Sequence, residues 1–180
     1  GVTLRFERPF MVIATQLPYG AMGTYPLTEV QIDRFAFRIG MNSPDSDEEM
    51  EIISRIDMIE EAEVKHILEA DEVVELVARV KEIYVSEAVK KYILDLVERI
   101  RSMDCVKLGP GPRGSIWLYK ASRARALLQR RDYTIPDDAK FAAPYVLEHR
   151  IQLKPEVEAE ARGIREVVEE ALASTPVPKE

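Results

Sequence analysis

Two arginines have sequence surroundings in which a guanidinium group could bind a phosphate. Arg34 follows Asp33 on a short predicted helix, directly after a polar loop rich in glycine and proline. Arg113 opens another predicted helix after residues 109–112 (GPGP), where free backbone N–H groups and the helix dipole favour an anion. Because a guanidinium is always charged and forked, it matches phosphate oxygens with paired hydrogen bonds. The simpler alternatives are a helix-end ion pair for Arg34 and a solvated first-turn position for Arg113.

The segment before Arg34 is predicted to contain the end of an α/β layer. Residues 10–15 are apolar and partly β-branched, which predicts a buried strand. Thr28 and Gln31 fit a capping box, so a short helix is expected from there to Phe35. Residues 35–39 are read as a second strand. Two strands alone are marginal in water, so this part looks like a fragment of a larger sheet.

The remainder of the chain is predicted to be a helical bundle. Capping patterns and apolar residues at helical spacing recur from residue 45 onward. One helix is expected to follow Ser86 and to bury a single apolar face: Val89, Ile93, Leu96, Val97 and Ile100. Further helices are expected after Ser46 and Asp71, near Pro112 and Pro136, and from about Pro155 to Leu172.

The sequence resembles the MoxR family of AAA+ ATPases, whose members carry close relatives of ATQNP and GTYPLPEAQLDRF. Here the corresponding residues are 14–18 (ATQLP) and 23–35 (GTYPLTEVQIDRF). Residues 108–115 (LGPGPRGS) are similar to the LGASPRAS of the family. The likeness covers essentially the whole chain but only the second half of the family, because the 180 residues contain no G-x-x-x-x-G-K-[ST] phosphate loop.

This resemblance implies a mainly α fold, with a remnant of an AAA+ α/β core followed by a helical lid. The implied division is core for residues 1–43, lid for residues 44–172 and a flexible tail for residues 173–180. In the family, the arginine of the D-R-F motif acts as an arginine finger in the nucleotide site of the next subunit, which assigns that role to Arg34. The resemblance likewise makes Arg113 the sensor 2 residue, which touches the β- and γ-phosphates bound by the same chain.

One position departs from the family pattern. Leu17 stands where the family has the sensor 1 asparagine, and it offers no donor or acceptor to a phosphate or to the attacking water. Gln16 or Thr15 would have to substitute for it. A degenerate ATPase that binds ATP with little turnover is therefore one expectation.

The resemblance also implies cofactors and partners. ATP would be bound together with Mg²⁺, whose ligands belong to the first half of the family. The full-length protein would form a homo-oligomeric ring, often a hexamer, that remodels or activates partner proteins, among them von Willebrand A-domain proteins. The alternative is a non-catalytic helical interaction or regulatory module derived from such an ATPase.

Composition limits the other classes of function. A net charge of −7 disfavours nucleic acid as the main partner, which leaves intersubunit contact or solvation for the basic stretch of residues 120–131. The single cysteine, Cys105, together with the lack of a long apolar run or a signal-peptide pattern, favours a cytoplasmic location. Abundant charged residues and scarce Asn and Gln favour a thermophilic source. His66 and His149 have no ligand-like neighbours and are read as ordinary surface or helix-end residues.

Overall fold

The computed structural model describes residues 3, 5–16, 27–159 and 163–178. The chain divides into two compact units. The first unit comprises residues Gly1–Met11 and Ile39–Leu76, and the second comprises Val12–Arg38 and Val77–Glu180. Arg34 and Arg113 thus belong to the same unit.

The described residues are mainly helical, which confirms the predicted fold class. The only regular sheet among them is a short antiparallel pair in which Val106 aligns with Leu153. In chain order the elements are α1 (Glu29–Ile32), α2 (Ser46–Ser54), α3 (Ile56–Glu60), α4 (Ala70–Glu82), α5 (Glu87–Arg101), β1 (Val106–Leu108), α6 (Pro112–Leu128), α7 (Pro136–Leu147), a 3₁₀ turn (Glu148–Arg150), β2 (Gln152–Leu153), α8 (Pro155–Ala159) and α9 (Ile164–Ser174).

Both strands predicted in the first 40 residues are wrong. Residues 10–15 form no strand, and the side chains of Phe10, Met11 and Ile13 are exposed. A strand needs a neighbouring strand to pair its N–H and C=O groups, and none lies beside them in the described part of the chain. Residues 35–39 are also irregular, although the Arg38 N–H donates to the carbonyl of Tyr145 at 2.9 Å.

The core of the second unit is built on α5, as its apolar spacing predicts. The helix begins after Ser86, whose Oγ accepts the N–H of Val89 at 3.2 Å. All five residues of the predicted face are buried, and they pack in one cluster with Leu118 of α6, with Leu147 of α7 and with Val167 and Val168 of α9. Burying each such aliphatic side chain contributes about 1.5–3 kcal/mol relative to exposure.

Helices α6 and α7 pack closely because their facing residues are small. Ala121 and Ala126 of α6 and Ala139 and Ala143 of α7 are all buried. Both helices begin with proline, at Pro112 and Pro136, as the sequence predicts. This packing fixes the start of α6, and therefore Arg113, relative to the 3₁₀ turn after α7.

Several predicted helix boundaries shift. The N-cap of α2 is Asp45 rather than Ser46, and α4 begins at Ala70, one residue before the predicted cap Asp71. The single helix predicted for residues 155–172 is two, because the extended backbone of Gly163 caps the separate helix α9. That helix continues to Ser174, inside the predicted tail, and Thr175 is buried with its hydroxyl donating to Ala171 O.

The described helices include none that combines the length and the apolar character needed to cross a lipid bilayer.

Candidate functional site

The D-R-F motif lies at the end of α1, which a local cap holds in place. The Thr28 N–H donates to Gln31 Oε1 at 2.8 Å, as the capping-box pattern predicts. The helix ends at Ile32, and the N–H of Asp33 still donates to Glu29 O at 2.9 Å. This turn directs the Asp33 carboxylate toward two arginines from distant parts of the chain.

Arg113 is the first of these arginines. Its Nη1 lies 2.7 Å from Oδ2 of Asp33, and its side chain is 50% exposed. The loop before it is fixed by Arg101, whose Nε donates to Pro110 O at 2.8 Å. Arg113 therefore stands at the first turn of α6 with one side on Asp33 and half of its surface open to solvent.

Arg150, in the 3₁₀ turn after α7, is the second, and it lies in neither of the motifs that predicted the site. Its side chain is 1% exposed, and its Nε donates to Asp33 Oδ1 at 3.1 Å. Its Nη2 donates to the carbonyls of Asp33 at 3.0 Å and Phe35 at 2.6 Å, and its Nη1 donates to those of Ala36 and Val146. Burial lowers the pKa of Arg150, and the Asp33 carboxylate opposes that shift. The sequence offers one signal for such a role: Arg150 is a charged residue between the apolar positions 147 and 151, which are both buried.

His149 lies at a helix end, as expected, but its ring is only partly exposed. Its Nε2 lies 3.2 Å from the carbonyl oxygen of Phe35 and 2.6 Å from Nη1 of Arg150. Burial, reinforced by the Arg150 charge, lowers the pKa of His149 to about 4, so the imidazole is neutral at neutral pH. The neutral ring adds a second contact to the backbone just after Arg34.

Arg34 itself is exposed, and among the described residues its side chain has no hydrogen-bond or ion-pair partner. Its two neighbours in sequence, Asp33 and Phe35, are both held through their carbonyls by Arg150. Asp33 does not pair with Arg34, as the simple helix-end alternative would require, but with Arg113 and Arg150. The backbone at Arg34 is thus held from both sides while its guanidinium is open to solvent.

The other predicted contacts are not gathered at this site. Thr15 and Gln16 are exposed, and no hydrogen bond joins their side chains to the rest of the described chain. Leu17 lies outside the described residues. Within the described ranges, no group of three or more His, Cys, Asp or Glu side chains could hold a metal ion.

Two arginines of the basic stretch after Trp117 contact α7. The Arg125 guanidinium lies 3.5 Å from the ring centroid of Phe141. Arg131 donates to both carboxylate oxygens of the buried Asp138, at 2.9 and 2.6 Å. These contacts give Arg125 and Arg131 a structural role.

The charges around Asp33 favour an anion. One carboxylate faces Arg113 and Arg150, and Arg34 follows it directly in the chain. Two guanidinium groups share this one carboxylate, which leaves one positive charge in excess within the network. The half-exposed Arg113 and the exposed Arg34 are the guanidinium groups of this site that an anion could reach.

A helical bundle that presents arginine at the start of one helix, beside a D-R-F segment, is the arrangement expected for the lid region of an AAA+ ATPase. The AAA lid domain family matches residues 98–171, and the family described as ATPases associated with various cellular activities (AAA) matches residues 1–37. The chain belongs to the MoxR family of AAA+ ATPases.

Individual relatives agree with this assignment. The chain is 34% identical to the chaperone MoxR1 of Mycobacterium tuberculosis, over 99% of this chain and 50% of that protein. It is 38% identical to the uncharacterized protein YeaC of Bacillus subtilis, over 99% of this chain and 56% of that protein. A crystal structure of a putative ATPase from Cytophaga hutchinsonii superposes with a TM-score of 0.86 at 32% identity, covering 96% of this chain and 56% of that one. The chain thus spans about half the length of the relatives that it matches.

Proposed function

We propose that this chain is the lid-containing half of a ring-forming ATPase that couples the binding and hydrolysis of ATP to the remodelling or activation of partner proteins. The observation that carries the proposal is the contact of Asp33, in the D-R-F motif, with Arg113 at the start of α6. It joins the two motifs whose arginines suit a phosphate. Mg²⁺ would enter with ATP, held by residues of the preceding half, and von Willebrand A-domain proteins are the proposed class of partner.

Arg34 is the proposed arginine finger. Its guanidinium is exposed and without a partner among the described residues, which suits a contact beyond its own chain, and its backbone is held on both sides. In phosphoryl transfer the protein contributes mainly positioning and stabilisation of the charge on the phosphoryl oxygens. A finger supplied by a neighbouring subunit increases turnover by about 10³ to 10⁵ in well-studied systems.

Arg113 is the proposed sensor 2 residue, and its contact with Asp33 bears on which nucleotide it reads. The family resemblance assigns it to the nucleotide of its own chain. Arg113 lies within 2.7 Å of the residue that precedes Arg34. If Arg34 contacts the nucleotide bound by a neighbouring subunit, this short distance favours a contact of Arg113 with that same nucleotide.

Hydrolysis in this protein is expected to be slow. Leu17 replaces the asparagine that positions the attacking water in the family, and it supplies neither a donor nor an acceptor. Thr15 and Gln16 are the nearest polar residues and are the proposed substitutes. We therefore expect the wild type to hydrolyse ATP more slowly than the variant L17N, which restores the asparagine.

Mixed rings of the full-length protein test both arginines. One parent carries Arg34→Ala, and the other lacks the lysine of its phosphate loop but keeps Arg34. Each parent alone should be inactive, the first with normal ATP binding. Mixing equal amounts should restore turnover, because the intact loop of one subunit then meets the finger of the other. Normal turnover by the R34A protein alone would refute the finger.

The same design locates Arg113. Rings of Arg113→Ala mixed with the phosphate-loop variant regain turnover only if Arg113 acts on the nucleotide of a neighbour. Rings of R113A mixed with R34A regain it only if Arg113 acts on the nucleotide of its own chain. Exactly one of the two mixtures should therefore recover activity, whereas normal turnover by R113A alone and in both mixtures would remove Arg113 from the site.

The second candidate function is a non-catalytic interaction module derived from such an ATPase. Leu17 at the sensor 1 position favours it. The intact mass of the protein made by its own cell separates the two. A mass well above 20.5 kDa together with ATP binding supports the ATPase, whereas a mass equal to that of this chain supports the module.

A further inference from the structure

We propose that Arg150 is a positioning residue for Arg34: its buried guanidinium fixes the backbone on both sides of the finger to the end of α7. The inference rests on the proposed role of Arg34 and adds a residue that neither motif contains. Arg150 touches no nucleotide in this scheme. It acts only by determining where Arg34 stands.

The first support is the pattern of hydrogen bonds. Arg150 donates to the carbonyls of Asp33, Phe35 and Ala36, and also to the Asp33 side chain. A fourth carbonyl, that of Val146 in α7, completes the set. One side chain thus ties three of the four residues from 33 to 36 to α7, and the residue that it leaves free is Arg34.

The second support is that, within the described part of the chain, few other contacts hold this segment to α7. Among the described residues, 33–38 have no strand partner, and the Arg38 N–H bond to Tyr145 is a single backbone link to α7. The Asp33 carboxylate also pairs with Arg113 at the start of α6. His149 adds one contact to Phe35 O. Without the guanidinium the carbonyls of residues 33 and 36 would lose their donor, and that of Phe35 would keep only the contact with His149, so the segment could shift.

The chemistry of arginine explains why this position needs it. Five N–H donors in a rigid plane can serve several carbonyls at once, whereas the ammonium of lysine is a compact charge with three donors. A side chain that is 1% exposed cannot exchange lost partners for water. Lysine at position 150 would therefore keep the positive charge but lose the planar set of donors that serves several carbonyls.

The kinetic consequence follows from the geometry of catalysis. A displacement of a catalytic group by about 1 Å can cost on the order of 100-fold in rate. Arg150→Lys in the full-length ATPase should therefore lower kcat by about 10- to 100-fold while the Kd for ATP stays within about twofold. A defect in nucleotide binding would change the Kd instead.

Mixed rings separate positioning from folding. The R150K subunit keeps its phosphate loop, so mixing it with the phosphate-loop variant, which supplies a well-placed Arg34, should restore turnover. A misfolded subunit could not be rescued in this way. Arg131→Lys is the matched control, because Arg131 also holds a buried partner, Asp138, but has no contact with residues 33–38. It should leave kcat unchanged at temperatures where it is folded.

The outcomes distinguish this inference from the proposed function. If R34A retains turnover, the finger itself is wrong. If R34A is inactive but R150K turns over normally, the positioning role alone is wrong. The same conclusion follows if R150K is inactive and mixing with the phosphate-loop variant does not rescue it. Should R150K fail to assemble, Asp33→Asn removes the side-chain anchor and keeps the carbonyl bonds, and a smaller loss that mixing rescues is then expected.

Hydrogen exchange on the 180-residue chain tests the structural step without any nucleotide. In R150K the amides of Phe35 and Arg38, which donate to Ile32 O and Tyr145 O, should exchange faster than in the wild type, while those of the buried helix α5 should exchange as before. An unchanged exchange rate of the Arg38 amide in R150K would contradict the proposed role of Arg150.

Discussion

Asp33 and Arg113 form a 2.7 Å ion pair although they are 80 positions apart in the chain. Each belongs to a motif that was recognised separately, and neither motif alone predicts the contact. The pair joins the end of α1 to the start of α6. Because Arg150 holds the other carboxylate oxygen of Asp33, the three residues form one network within the second unit.

The coupling between Asp33 and Arg113 can be measured with a double-mutant cycle. Their side chains are 30% and 50% exposed, and such ion pairs contribute about 0.2–1 kcal/mol. Asp33→Asn should cost more than Arg113→Gln, about 1.5–3 kcal/mol, because it also removes a charge partner of the buried Arg150. Urea unfolding followed by the fluorescence of the single Trp117 gives all four free energies. Fully additive effects would show that the pair contributes nothing.

His149 predicts a specific dependence of stability on pH. Burial and the nearby Arg150 lower its pKa to about 4 in the folded state, against 6.5 for an unperturbed histidine. In the unfolded chain His149 therefore becomes protonated below about pH 6.5, whereas in the folded chain it stays neutral down to about pH 4. Above pH 6.5 the protonation of His149 does not lower the free energy of unfolding. As the pH falls from 6.5 to 4, that free energy decreases by on the order of 1–3 kcal/mol.

The second histidine provides the control. His66 is well exposed, with 68% of its side chain accessible. Urea unfolding at several pH values between 4 and 7 should show a smaller loss of stability for His149→Gln than for the wild type, and an unchanged loss for His66→Gln. Equal slopes for both variants would mean that His149 is not held neutral by the fold.

Local signals account for the part of the fold that the sequence predicted correctly. Helix α5 carries its cap at Ser86 and one apolar face, and both features are encoded within its own residues. The prolines that open α6 and α7 act in the same local way. The strand predicted at residues 10–15 failed because a strand depends on neighbours that the segment itself does not encode.

The site was only partly predictable for the same reason. Arg34 and Arg113 were predicted because they lie in recognisable motifs, and their roles stay predictions. Arg150 could not, because its partner Asp33 is 117 positions away and only the folded chain brings the two together. A buried arginine has no periodic pattern of its own, so its role becomes visible only through its acceptors.

Asp138 and Asp137 are adjacent acids with opposite expected roles. Asp138 is 1% exposed and accepts from Arg131 through both oxygens, and this contact raises the pKa of Arg131. Asp138→Asn should cost on the order of 3 kcal/mol in the free energy of unfolding, because a partly buried guanidinium loses its counterion. Asp137 is exposed beside Lys140, so Asp137→Asn should change stability by less than about 0.5 kcal/mol. Urea unfolding of both variants provides the comparison, and a small effect of D138N would contradict the buried pair.

Gly109 and Gly111 test whether close packing sets the position of the loop before Arg113. A Cβ at Gly109 would lie 2.8 Å from Cγ and 3.1 Å from Cα of Arg101, so the chain must shift. Gly109→Ala is therefore expected to cost about 1–3 kcal/mol. Such a shift would also disturb the bond from Arg101 Nε to the carbonyl of Pro110.

A Cβ at Gly111 would meet nothing within 4 Å. Its backbone φ of −74° also suits alanine, so Gly111→Ala should stay within about 1 kcal/mol of the wild type. Thermal unfolding followed by Trp117 fluorescence compares the two, with about 2–4 °C expected per kcal/mol for a chain of this size. A lower melting temperature for G109A alone is expected, because only there does the loop lie against Arg101. Equal melting temperatures would mean that the loop adapts, and that its contact with Arg101 does not determine where α6 and Arg113 begin.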